Sequence, residues 1–288
     1  AYEIVCGDWS SDVGSSDLEG NLICRAWLNP GFLGAAQYSV AIAAGVRGAI
    51  LGTLMTILVT IVLAFPIGIG AAIFLEEYAV DNRLNRFIRI NIYNLAGVPS
   101  IIYGMLGLAL FVRLAEPFTS GTLFGAVADP TTANGRTVLS AGLTLALLIL
   151  PVIIINAQEA LRAVPGILRQ SSLAVGATKW QTVWHHVLPA SFDRILTGTV
   201  LAVSRAIGET APLVVVGAST FLSQDPTSIF SKFTTLPIQI YQWTARPQEE
   251  FRRIAAAAIL VLLILMLSLN AIAILLRNRI RTKKRLSR

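Results

Sequence analysis

Five blocks of this chain are apolar for long enough to cross a lipid bilayer, and no other sequence feature constrains its fold as strongly. They run over residues 49–75, 95–112, 138–157, 195–222 and 254–276. A helix crossing the hydrocarbon core needs about 20 apolar residues, and its backbone polar groups must be satisfied within the span. The expected fold class is therefore all-α, a polytopic transmembrane helical bundle. Composition agrees: of 288 residues 55% are hydrophobic and 14% charged, against roughly 25% charged in soluble domains. The second block has an unbroken apolar core only over 101–112, between Pro99 and Pro117, and reads as a broken or tilted span.

The net charge of +7 raises the question of nucleic acid, and the placement of the basic residues answers it. Seven of the 23 Lys and Arg lie in the tail, 277–288, directly after the last apolar block and without interleaved aromatics for base stacking. Such a tail anchors against anionic lipid on the cytoplasmic side. With the tail inside, the inner loops 76–94 and 158–194 carry three and four basic residues, while 1–48, 113–137 and 223–253 carry two, two and four outside. The N-terminal segment 1–48 is then extracytoplasmic and holds both cysteines. Cys6 and Cys24 are candidates for a disulfide, with two independent thiols as the alternative. Five spans with the N-terminus outside, and no signal segment at the start, lead us to expect one further span upstream of Ala1, six in all.

Signatures of catalysis are missing from the sequence. It has no G-x-x-x-x-G-K-[ST], H-E-x-x-H or G-x-S-x-G, so neither nucleotide binding nor catalysis by this chain alone is expected. Gly68 and Gly70 suit helix packing. His185 and His186 are adjacent, and helical neighbours point about 100° apart, so they form no metal site together. The informative stretch is Arg205-Ala206-Ile207-Gly208-Glu209-Thr210-Ala211-Pro212. Counted from Arg194 at about 1.5 Å per residue, Arg205 lies roughly 16 Å into the membrane, with Glu209 one turn on and able to pair with it. An ionised group at that depth needs protein or water around it. Arg205, Glu209 and Thr210 are the candidate substrate pathway, since a guanidinium fork matches oxyanion oxygens. Gly208 and Pro212 mark a helix break, because Pro212 cannot donate to the Gly208 carbonyl. A structural ion pair between helices is the alternative reading.

The long inner segment 158–194 reads as two short helices, 158–164 before Pro165-Gly166, and 168–187 interrupted at Gly176. Trp180, Val183, Trp184 and Val187 recur at helical spacing and give an amphipathic face. That face suits a partner's groove; packing on the chain's own spans or lying in the lipid interface are the alternatives.

This segment resembles the cytoplasmic coupling loop of the permeases of ABC importers, in which Gly is followed nine residues later by Ile-x-Leu-Pro. Here Gly176 precedes His186-Val187-Leu188-Pro189, and Gln170-Ser171-Ser172 stands in place of the usual Glu-Ala-Ala. Arg-Ala-Ile-Gly-Glu-Thr is similar to the signature of phosphate permeases of type I ABC importers, as are residues 97–104 and the run from Leu150-Pro151 to Val164-Pro165. Ala211-Pro212-Leu213 after Gly-Glu-Thr resembles the PstA branch. The resemblance covers roughly 47–277, and residues 1–26 look unlike the family. It implies inorganic phosphate as substrate and a PstC-like permease as partner. It also implies a PstB-like ATPase dimer, which would hold ATP and Mg and dock on Gly176, Ala177, Thr178, Lys179, Trp180, Val183 and Trp184, and a PstS-like periplasmic binding protein. No cofactor falls to this chain. Another oxyanion, such as sulfate or molybdate, stays within the same class; a secondary anion transporter and a membrane-embedded enzyme are rivals outside it.

Overall fold

The computed structural model describes residues 30–286 apart from 42, 125–134, 219–221, 223 and 224; the Cys6 and Cys24 expectation lies outside them. Nine helices organise the described residues: α1 Arg47–Tyr78, α2 Arg83–Ala96, α3 Ser100–Leu114, α4 Val138–Arg162, α5 Gly166–Ala174, α6 Lys179–Gly208, α7 Ala211–Val216, α8 Leu236–Thr244 and α9 Glu249–Leu286. Only single turns, such as Pro30–Gly34 and Glu116–Thr119, stand outside this set among the described residues. Among the described residues four helices are long and apolar enough to span a membrane, α1, α4, α6 and α9, and the bent pair of α2 and α3 makes a fifth if it is one span. The chain is an all-α integral membrane protein.

Helix α4 is the axis of the bundle. Thr137 caps it, accepting from the Ser140 N–H while the Ser140 hydroxyl oxygen accepts from the Thr137 N–H. Both its faces are buried, by α1 on one side and α6 on the other. The α1 contact is selected by size rather than polarity. Its buried residues are Gly48, Ala49, Gly52, Thr53, Thr56, Ile57, Thr60, Ala64, Gly68 and Ala72, a stripe of mostly small side chains at helical spacing. Small residues let helix backbones approach closely, which is where membrane helices gain packing contacts. Thr60 Oγ1 lies 3.2 Å from the carbonyl of Gly142 on α4. The larger Leu54, Leu58, Val62 and Ile67 of α1 are exposed.

The second apolar block is split. Helices α2 and α3 meet at 104° across the residues between them, because Pro99 (φ −55°, ψ 137°) is extended and its ring cannot continue the helix before it. Helix α2 buries none of its residues and exposes Leu84, Phe87 and Ile90, the pattern of a helix lying along a membrane surface. The inner segment also differs from expectation. Residues 158–162 continue α4 without a break, and the helix that restarts after Gly176 does not stop near 187; α6 runs on through the bundle to Gly208. Its turn at Val183–Val187 widens so that the Leu188 N–H donates to the Val183 carbonyl. That i to i+5 bond is a local accommodation of Pro189, which has no N–H to offer.

Candidate functional site

The face of α6 turned to α4 is made of Ile195, Gly198, Thr199, Ala202, Ala206 and Ile207, all buried. The opposite face is largely open among the described residues, touched at Thr197 by Arg277 of α9. Arg194, Thr197, Leu201, Arg205 and Gly208 are exposed along it, Leu201 at 66% and the Arg205 side chain at 54%. Arg205 Nε stands 3.4 Å from Glu209 Oε1, a long contact that leaves most donors of the guanidinium fork free for another acceptor. Glu209 leaves the helix (φ −74°, ψ 120°) with its N–H on the Ala206 carbonyl. Thr210 then turns the chain, and α7 restarts with Pro212 in its first turn, its Thr210 carbonyl accepting from Val214 at 3.0 Å. The break at Gly208 and Pro212 thus falls on Glu209 and Thr210. Behind it Ala206 and Leu213 meet Thr56 and Leu145, so the break lies level with a residue seven positions, about 10 Å, inside α4.

Helix α3 presses on this break. A Cβ on Gly104 would stand 2.6 Å from Pro212 Cα and 3.1 Å from Val215 Cβ. Only a glycine lets the two backbones come this close. The break is therefore held by tertiary packing on one side while Arg205 projects on the other.

At the other end of α6 the chain presents an apolar surface. Gly176 turns the backbone with φ +84°, a conformation that costs other L-residues about 1 kcal/mol or more. Thr178 and Gln181 then form a capping box that starts α6. Trp180 and Trp184 stack, ring centroids 5.4 Å apart and planes within 11°, and both are exposed, at 60% and 51%. Leu173 and Val175 are exposed beside Ala177 and Lys179. Val183, expected on the same surface, is not there. It is 1% exposed, as buried as Val187 one turn on, which packs in the core with Leu161 and Ile195, so this flank of α6 is turned to the chain itself.

What sequence reasoning missed is the clamp that holds this surface to the spans. Arg169 of α5 donates from Nη2 to Glu77 Oε1 at 2.7 Å, from Nε to the same carboxylate at 3.1 Å, and to the carbonyls of Val164 and Leu161 at 2.9 Å each. Glu77 lies in the last turn of α1, and next to it Glu76 accepts from Arg162 Nε at 2.8 Å. Ser172 and Thr182 hydroxyls lie 3.0 Å apart, tying α5 to α6, and Lys179 Nζ sits 5.4 Å from the centre of the Tyr78 ring. The available signal was Glu76-Glu77 placed directly after an apolar block, with Arg162 and Arg169 unassigned in the following inner segment.

The sequence model of the family described as binding-protein-dependent transport system inner membrane component matches residues 64–283. The chain belongs to this family. Among curated relatives, a probable ABC transporter permease protein YqgI of Bacillus subtilis is 30% identical over 221 residues, 73% of this chain and 69% of the relative. The phosphate transport system permease protein PstA 1 of Mycobacterium tuberculosis is 34% identical over 219 residues, 75% and 66% of the two chains. The phosphate transport system permease protein PstC of Pasteurella multocida is 35% identical over 195 residues, 65% and 60%. The matched region thus spans about two thirds of those relatives' lengths. Of solved structures, an inward-facing form of the MetNI methionine ABC transporter superposes with a TM-score of 0.55 at 20% identity, covering 82% of this chain and 93% of that one. A bacterial ABC transporter that imports alginate gives 0.51 at 16% identity, covering 81% and 79%. These likenesses establish the fold, that of an ABC importer permease.

Proposed function

We propose that the chain is one of two membrane-spanning subunits of an ATP-driven phosphate importer, with the uncovered face of α6 forming one wall of the passage. The carrying observation is Arg205: a half-exposed guanidinium at membrane depth beside a helix break, on a stretch of α6 that the described residues leave open. Left to lipid, such a group is strongly unfavourable. Covered by a homologous PstC-like permease, the face becomes the inside of a passage, and Arg205 meets the oxyanion with Glu209 and Thr210 beside it. Glu209 holds the guanidinium in place between transport events and repels an ion of the wrong charge state.

The tail and the Trp180–Trp184 surface lie on the cytoplasmic side of a bacterial plasma membrane in this reading, where a PstB-like ATPase dimer carrying ATP and Mg docks. A PstS-like binding protein delivers phosphate from outside. This chain itself catalyses nothing. Nucleotide binding on the ATPase biases a two-state equilibrium of the spans, and α6 carries the bias directly, because Trp180, Trp184 and Arg205 belong to one helix. Phosphate, rather than sulfate or molybdate, rests on the relatives, since tetrahedral oxyanions present similar geometry to a guanidinium.

The test is Arg205→Gln in the reconstituted complex. Phosphate uptake should be lost while the subunits still co-purify; retained uptake would remove Arg205 from the pathway.

A further inference from the structure

The uncovered face of α6 carries a second guanidinium. Arg194 precedes Arg205 by 11 residues, which along a helix is about 16 Å of rise and about 20° of rotation. Both therefore stand on one strip, with exposed Thr197 and Leu201 between them. Beside Arg194 an open cavity of about 320 Å³ lies between α4 and α6, lined by Asn156, Glu159, Arg194, Thr197 and Gly198 among others. Gly198 brings the two helices together here, since a Cβ on it would stand 2.6 Å from Asn156 Cβ.

The charges at this end are unevenly matched. Arg162 and Arg169 are ion-paired with Glu76 and Glu77. Arg194 is exposed and has no ion-pair partner among the described residues. A further guanidinium reaches the same wall from α9, where Arg277 Nη1 donates to Thr197 Oγ1 at 2.7 Å. Arg194 and Thr197 thus line the cavity from α6, Arg277 reaches its edge through Thr197, and Asn156, whose Nδ2 lies 3.5 Å from the Gly198 carbonyl, lines it from α4. Glu159 is the carboxylate in the lining, and its charge limits how tightly an anion is held. Weak binding suits a position that an ion must leave.

We propose that this cavity is a second station for a phosphate oxyanion, held by Arg194 with Arg277 and Thr197 alongside, which the transported ion occupies after Arg205 as it leaves the bundle. The proposal rests on reading α6 as a wall of the passage. An anionic lipid headgroup presents the same phosphate oxygens, so the experiment must separate the two sources.

Ala163 lines the cavity without donating to it, and Ala163→Cys places a thiol there. Its labelling by a neutral, membrane-impermeant maleimide is measured in the complete complex, with the rate for the chain lacking this cysteine subtracted. Vesicles of phosphatidylcholine alone are compared with vesicles that also contain phosphatidylglycerol, each with inorganic phosphate titrated in. Phosphate should slow labelling in phosphatidylcholine. Arg194→Gln should raise the half-protecting concentration about tenfold, the loss of one charge-assisted hydrogen bond, and Arg205→Gln should leave it unchanged. ATP hydrolysis by each variant complex establishes that it is assembled. The proposal is overturned if phosphate gives no protection, if Arg194→Gln does not shift it, or if phosphatidylglycerol alone protects and phosphate adds nothing. Failure of the importer reading shows separately, as phosphate uptake that survives Arg205→Gln.

Discussion

Gly104 and Pro212 touch so closely that the helix break depends on a missing side chain. The added Cβ in Gly104→Val would meet backbone at Pro212 rather than a movable side chain tip. Overpacking of this kind costs about 1–3 kcal/mol, and here it must separate α3 from α7. We expect the variant complex to lose several degrees of thermal stability and most of its uptake; an unchanged melting temperature would mean that the contact is slack. Arg205 stood out in the sequence because, with Glu209, it is charged inside an apolar block; what the structure adds is its exposed position. The burial of Val183 was not legible. Trp180 one turn before it and Trp184 directly after it share its apolar character, and hydropathy cannot tell a flank that meets the chain's own bundle from one left open. Gly176 was legible by its spacing, and its positive φ supplies the physical reason for a glycine there.

Two parts of the coupling end do different work, and substitutions should separate them. Trp180 is an exposed half of a stacked pair, so Trp180→Glu puts a charge into the docking surface and should release the ATPase from membranes, measured by sedimentation of the complex. Arg169 is inside the clamp. Arg169→Ala strands Glu77, whose side chain is only 8% exposed, and breaking a buried pair costs about 3–5 kcal/mol, less here because Arg169 is partly solvated. The ATPase should stay bound and hydrolyse ATP, but phosphate moved per ATP should fall severalfold, because α5 no longer pulls on the end of α1. Equal losses in both variants would deny the clamp a separate role. At this scale the sequence was misleading about boundaries: Pro165-Gly166 and Gly176 are real breaks, yet no residue announces that α6 continues from Lys179 to Gly208. The bend at Pro99 was readable as a break, but not as a turn of 104°, because its angle is set by what α2 and α3 each pack against.

For the whole molecule, an all-α membrane protein followed from the apolar blocks alone. The arrangement of those blocks did not, since α1 is apolar nearly all round and the face on α4 differs from the exposed one by its small residues and threonines rather than by greater hydrophobicity. The assembled molecule is where Arg205 discriminates between surroundings. If the uncovered face of α6 met lipid, Arg205→Leu would remove a charge that costs about 2.5–3.5 kcal/mol at the centre of a membrane helix, and the variant would be the more stable protein in bilayers. If a second permease covers that face and water fills the passage, the same change removes a solvated charge. Stability of the complex then stays nearly level while uptake is lost. Unfolding midpoints in proteoliposomes, measured for this chain with and without a co-expressed permease partner, distinguish the two. We expect stabilisation by Arg205→Leu only where the partner is withheld, because only there does the guanidinium have hydrocarbon for a neighbour.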